Sequence, residues 1–211
     1  MSVMRKMRKA GTNRVFYIIL TILISIGLVG GYAAFSTSSL NSQTPTGTQG
    51  TLAPSGPDQT SLETNIRRYK QVLKASPRNL EVLVDLGNAQ YDLGVTYSQQ
   101  GREADAVREL KGAVESYGKA LEIDPQNVDV RVDMATAAFY ASDYQVAQEQ
   151  FKKAIEINPN HVYGRMNYGV FLAQAVGDSE AAVHQWEAAL ATKPDPGTEA
   201  RIRNLIKEYK K

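Results

Sequence analysis

The stretch KALEIDPQN at residues 119–127 returns as KAIEINPNH at residues 153–161, which sets Pro125 and Pro159 34 residues apart. A fixed period of this length decides the architecture before local propensity does, because each unit can bury its apolar face only against a neighbouring unit. Proline cannot continue a helix, so each of these prolines marks a boundary between helices. Between them, residues 128–141 and 144–157 carry apolar side chains at three-to-four spacing, interrupted by the polar pair Ser142-Asp143. That pattern predicts an antiparallel helical hairpin.

Aligned from the prolines, Met134-Ala135, Ala147, Phe151, Ala154 and Pro159 fill small, aromatic and proline positions. On these residues the segment resembles a tetratricopeptide repeat. Ala135, Ala147 and Ala154 allow two helices to approach closely, and Phe151 fills the space beside them. The next unit offers Tyr168-Gly169, Ala182, Trp186, Ala189 and Pro194 over 35 residues, and its extra residue is expected in the turn at 176–179. The preceding unit runs 48 residues from Pro77 to Pro125, with Leu86-Gly87, Ala113, Tyr117 and Ala120 in the same positions. Its excess of 14 residues is two heptads, and a heptad is about two helical turns, which returns the chain to nearly the same face. Leu93-Gly94 echoes Leu86-Gly87, while Ala106, Leu110 and Ala113 anticipate Ala113, Tyr117 and Ala120. Both helices of this hairpin are therefore expected to be one heptad longer, turning near Gly101. Its tip would project about 10 Å past its neighbours as an accessory contact surface.

The expected fold class is all-α: a TPR-type α-solenoid of antiparallel helical hairpins over residues 60–211. Its parts are a cap helix at 62–75, an extended hairpin at 78–125, repeats at 126–159 and 160–194, and a C-terminal cap helix at 198–211. The resemblance covers residues 62–211 and implies a right-handed superhelix with a concave groove formed by the first helices. It also implies peptide or protein binding.

Upstream, residues 15–35 (VFYIILTILISIGLVGGYAAF) carry no charge, and a helix of that length spans about 30 Å of bilayer core. One transmembrane helix is expected there, as a retained signal-anchor. Arg5, Lys6, Arg8, Lys9 and Arg14 all precede it in a basic tail at 1–14, so the positive-inside rule puts the N-terminus in the cytoplasm and the repeats outside. The setting this suggests is a single-pass protein of a bacterial cytoplasmic membrane. The competing expectation is a cleaved signal peptide and a secreted product, since Gly31-Tyr32-Ala33-Ala34 offers small residues to a peptidase. Residues 36–59 are rich in Ser, Thr, Gly, Gln and Pro and read as a disordered linker, with a root-mean-square reach of about 25 to 30 Å.

The basic tail supplies +5 of a formal charge of +2, leaving −3 for the rest. A nucleic-acid-binding fold needs its positive charge on the folded part, so no nucleic acid is expected as partner. There is no cysteine, which removes disulfides, thiolate nucleophiles and Cys-ligated zinc. His161 and His184 lack a partner at a recurring ligand spacing. The carboxylates read as solvated faces or as pairs such as Glu149 with Lys153, and no glycine-rich phosphate loop follows a strand. No catalytic residues, no metal and no cofactor are expected, and the chain reads as no enzyme.

What remains is a scaffold with protein or peptide partners and a membrane contact through residues 15–35. The alternative is a structural accessory subunit of a membrane enzyme or of an envelope or cytochrome c assembly complex. The resemblance places groove positions at Glu81, Val84, Asp85, Asn88 and Tyr91 in the first hairpin. The second supplies Asp129, Val132, Asp133, Thr136 and Tyr140, and the third Tyr163, Met166, Asn167, Val170 and Gln174. Family members that clamp a C-terminal carboxylate carry Lys, Asn and Arg where this chain has Val84, Asn88, Asp133, Tyr163 and Asn167. Only Asn88 agrees. With carboxylates in place of cations, the expected ligand is a neutral or basic extended segment, its backbone bonded by Asn88 and Asn167 and its side chains packed by Tyr91, Tyr140 and Tyr163.

Overall fold

Helix boundaries are set locally, and the boundary prolines set most of them. The computed structural model describes residues 58–210; the expected basic tail, membrane span and linker through residue 57 lie outside them. Among the described residues there are eight α-helices and no strand: α1 Gln59–Ala75, α2 Leu80–Gln99, α3 Glu103–Ile123, α4 Val128–Tyr140, α5 Tyr144–Ile157, α6 Val162–Phe171, α7 Ser179–Ala191 and α8 Pro196–Tyr209. None of them is long and apolar enough to cross a membrane. Two residues after Pro77, Pro125 and Pro159 come Asn79, Asn127 and His161. Each caps the helix that follows, accepting the amide of Val82, Val130 or Gly164 through its side chain. Such a cap satisfies an amide that the first turn cannot pair and is worth about 1 kcal/mol.

The second helices begin as regularly. Asp143 and Asp178 cap α5 and α7, each preceded by a residue of positive φ, Ser142 at 62° and Gly177 at 75°. Asp58 and Asp195 cap α1 and α8, so these two helices start at Gln59 and Pro196, ahead of residues 62 and 198.

Each hairpin closes on one pair, a small residue of the first helix against an aromatic of the second. A Cβ on Gly87 would sit 2.5 Å from Tyr117 Cε1, and one on Gly169 would overlap the indole of Trp186. Ala135 and Phe151 hold the corresponding places in the middle hairpin, both fully buried. Val132, Ala135, Phe139, Phe151, Phe171, Trp186, Ile202 and Leu205 belong to one apolar cluster that joins α4 through α8.

The long hairpin has helices of 20 and 21 residues, and Gly101, at φ 72°, makes its turn. Its tip is not free on the flank that faces α1. Leu93, Tyr97 and Ala106, all contributed by the added heptads, pack with Leu62 and Ile66 of α1. The Tyr97 hydroxyl donates to Glu63 at 2.9 Å, and the Gln100 amide donates to Gln59 at 3.2 Å. Two heptads without a neighbour would expose this apolar stripe, and the 17-residue α1 supplies the neighbour.

The extra residue of the last hairpin does not lie in its turn. Ala141-Ser142-Asp143 and Val176-Gly177-Asp178 have the same length and backbone handedness, and Asp143 to Pro159 equals Asp178 to Pro194. From each boundary proline to Ala135 or Gly169 the spacing is also equal. The added residue is absorbed between them, where α6 continues into a π-helical segment, Leu172–Val176. One inserted residue widens a helical turn to the i→i+5 pattern, and a π-bulge is that widening.

Candidate functional site

The first helices α2, α4 and α6 bring the anticipated residues onto a shared wall, but not as one uniform groove. Tyr91 of α2 and Tyr140 of α4 meet with ring centroids 6.1 Å apart and planes tilted by 49°. Asp133 stands beside them, close enough to repel Asp129 and Asp92 and to add to the burial that raises the pKa of Tyr91 and Tyr117. Asn88 of α2 joins the group through Tyr117, its Oδ1 accepting the Tyr117 hydroxyl at 2.7 Å. That bond leaves the Asn88 NH2 without a partner among the described residues. On the next helix the Asn167 amide donates to Thr136 Oγ1 at 3.4 Å, which leaves the Asn167 carbonyl oxygen open. One asparagine thus offers a donor and the other an acceptor, the pair that an extended backbone requires.

Asp133 carries the strongest electrostatic signature of the wall. Its carboxyl is pushed up to about 7, first by loss of hydration among the crowded first helices, then by Asp129 and Asp92. More than a third of its surface still meets water, so the energetic penalty is smaller than the same displacement would carry in a closed core. Asp92 is raised by burial, and Asp85 by burial and by Glu81, with Arg68 opposing. The Tyr91, Tyr117 and Tyr140 hydroxyls are driven up by burial as well, which keeps them protonated as donors.

Several anticipated groove positions do something else. Val132 and Met166, each 3% exposed, are core residues rather than lining, because they point between helices and not away from them. Val84 and Val170 are half-buried against the core clusters. Gln174 lies in the π-helical segment and bonds the Tyr209 side chain of α8. Asp129 is engaged at the edge by His161. The His161 Nδ1 accepts the Gly164 amide at 2.9 Å as the cap of α6, so its Nε2 bears the proton and donates to Asp129, also at 2.9 Å. Tyr163 is 45% exposed. Glu81 remains exposed at the α2 end of the wall.

Two features escaped the reading of the sequence although their signals were present. Asp92 follows Asp85 by one heptad and therefore shares its face. Arg131 and Arg165 recur at the repeat period, as do Gln150 and Gln185 at its close equivalent. The Arg131 guanidinium donates to Gln150 and to the Pro125 carbonyl, both at 2.6 Å. Arg165 does the same with Gln185 and the Pro159 carbonyl. These arginines tie each first helix to its second helix and to the boundary turn, a structural task.

The Tetratricopeptide repeat family matches residues 132–198, which covers most of the middle hairpin and all of the last. Among solved structures, the crystal structure of MamA protein is similar at a TM-score of 0.54 with 22% identity, covering 72% of this chain and 82% of that one. A second crystal structure, of MamA, has a TM-score of 0.49 with 23% identity, covering 72% of this chain and 85% of that one. No curated protein matches the chain. Over residues 132–198 the chain therefore matches the tetratricopeptide repeat, and its all-α fold is similar to that of MamA protein.

Proposed function

We propose that this chain is a protein-interaction scaffold whose α2, α4 and α6 wall binds a neutral or basic extended segment of a partner protein. The observation that carries the reading is the joining of Asn88, Tyr91, Asp133 and Tyr140 from two hairpins, with hydrogen-bonding groups left open. The match to tetratricopeptide repeats supports it. An acidic wall disfavours an anionic ligand, whose charge would be desolvated without a counter-ion, so a scaffold for neutral and basic segments follows.

The test is an array of extended peptides of graded charge, probed with the full chain in detergent. Neutral and basic peptides are expected to be retained and acidic C-terminal peptides washed away. Retention of basic peptides should fall with added salt, because exposed charges are screened over about 10 Å at 0.1 M. Changing Asp85→Asn together with Asp133→Asn should weaken basic peptides and flatten that salt dependence. Tight capture of acidic C-terminal peptides, or an array pattern indifferent to the double change, would overturn the assignment.

The same proposal includes tethering through residues 15–35 with the repeats outside, supported by the uncharged run and the basic residues before it. Because the chain has no cysteine, single introduced thiols report topology directly. On intact cells Ser55→Cys is expected to react with an impermeant thiol reagent and Ser2→Cys to stay unlabelled. The reverse pattern rejects the outward orientation, and a mature chain starting near Phe35 rejects the retained anchor.

A further inference from the structure

Asp92 of α2 and Asp133 of α4 are close enough for their charges to repel, and among the described residues no cation offsets either of them. A purely structural carboxylate in a crowded wall is ordinarily given a lysine or arginine, as Asp105 is by Arg102 and Arg108 at 2.6 Å. Here the neighbours are instead three phenols and an amide. Tyr91 and Tyr140 stand across the α2–α4 seam. Both residues are half-buried, and their hydroxyls have no hydrogen-bond partner among the described residues, which leaves them open to a ligand. Two rings beside two carboxylates form a site for a cation with an apolar stem, since the rings attract positive charge through their faces and cover the methylenes. A metal ion is a poor fit: among the described residues no group of three or more His, Asp or Glu is placed to hold one.

We propose that Asp92 and Asp133, walled by Tyr91 and Tyr140, form a subsite for one lysine or arginine side chain of the bound segment. The inference rests on the groove reading above and narrows it to a position. The groups that face Asp133 are Tyr91 and Asp92 from α2, Tyr117 from α3 and Asp129 from its own helix. From α6, His161 reaches Asp129 and Asn167 reaches Thr136. No facing group supplies positive charge: His161 accepts the Gly164 amide at Nδ1 and donates its one ring proton to Asp129. A cation in the subsite would draw the Asp133 carboxyl back toward its ordinary value, releasing a proton on binding near pH 7. Recognition of the basic side chain is therefore strongest above pH 7 and declines as Asp133 takes up a proton.

The experiment is selection of a random twelve-residue peptide library on the full chain in detergent, at pH 8 and at pH 5.5. Selection is repeated on Asp92→Asn, on Asp133→Asn and on Glu156→Gln, an exposed carboxylate of α5 that controls for net charge. Peptides selected at pH 8 are expected to share one fixed Lys or Arg. That preference should vanish in both Asn variants, persist in Glu156→Gln, and correspond to an affinity about three- to tenfold lower at pH 5.5. The Asn variants should nonetheless be at least as stable as the parent. Asp133 is a carboxyl raised in the folded state, so its ionised form opposes folding above pH 7, and that opposition fades as pH falls through 7. The melting temperature of Asp133→Asn should therefore exceed the parent's by about 3 °C at pH 8 and by less at pH 5.5. Selected peptides with no fixed basic position would overturn the subsite and leave the groove standing. A library that yields no peptides would overturn both, and a basic preference that survives Asp92→Asn and Asp133→Asn would place the cation elsewhere.

Discussion

Trp186→Ala is expected to lower the unfolding free energy by about 4 to 5 kcal/mol, and the melting temperature by about 10 to 15 °C. The indole is fully buried, and its Nε1 donates to the Met166 carbonyl at 3.0 Å. Tyr209 of the terminal helix leans on it with ring centroids 5.5 Å apart. Removing it opens a large cavity at the point where α6, α7 and α8 meet. In a stack where each hairpin is held by its neighbours, such a loss loosens the end of the domain first. The partner position gives a sharper test. Gly169→Ala places a methyl group inside the indole ring, and overpacking of that kind costs about 1 to 3 kcal/mol. In the Trp186→Ala background the methyl has room, and alanine's helix propensity then favours it by up to about 1 kcal/mol. The cost of Gly169→Ala should shrink or reverse, which a double-mutant cycle followed by chemical denaturation will measure. Additive costs would contradict the small-against-aromatic account of hairpin closure.

Tyr117 combines the same closure with the proposed binding wall. It is 2% exposed and lies against Gly87, so Tyr117→Ala should cost about 3 to 5 kcal/mol. That is a large share of the roughly 5 to 15 kcal/mol that holds a domain together. Tyr117→Phe keeps the ring and removes only the hydroxyl that fixes Asn88. Its stability cost should be about 1 kcal/mol, yet it should weaken peptide retention, because the Asn88 amide is free to turn its donor away from the ligand backbone. Equal loss of stability in the two variants would remove the ring from the core. Unchanged retention in Tyr117→Phe would remove Asn88 from the binding wall.

Much of the helical pattern is written in short-range chemistry. Prolines that cannot extend a helix, an Asn or His two residues on, and Asp after a residue of positive φ fix most starts and stops. These devices act within four residues, so a single sequence displays them. The heptad echo in residues 80–123 is visible for a related reason: seven residues restore the helix face, and the slot residues must repeat with it. The same arithmetic, applied from Gly169 to Gly177, would have placed the extra residue of the last hairpin inside the helix. Residues 172–176 themselves carry no local signal for a π turn. Both flanks are fixed, by the Gly169–Trp186 contact on one side and the Asp178 cap on the other, and the segment between them must absorb the surplus.

The proposed binding wall was legible only in part, since helical periodicity says which side chains share a face but not what stands opposite. Val132 and Met166 were expected on the face of the candidate wall and are claimed by the core. Gln174 is taken by a tyrosine from the last helix, and Asp129 by a histidine 32 residues away. Whether a tip projects also depends on its neighbours, and α1 covers one flank of the long hairpin. The sequence by itself determined the period, the small and aromatic pairs that close each hairpin, the capped boundaries and the acidic character of the first helices. Only the tertiary structure decided that Asp92, Asp133, Tyr91 and Tyr140 converge and that Asp133 titrates near neutrality. Desolvation and charge repulsion depend on distances between helices, and those distances exist only once the hairpins have stacked.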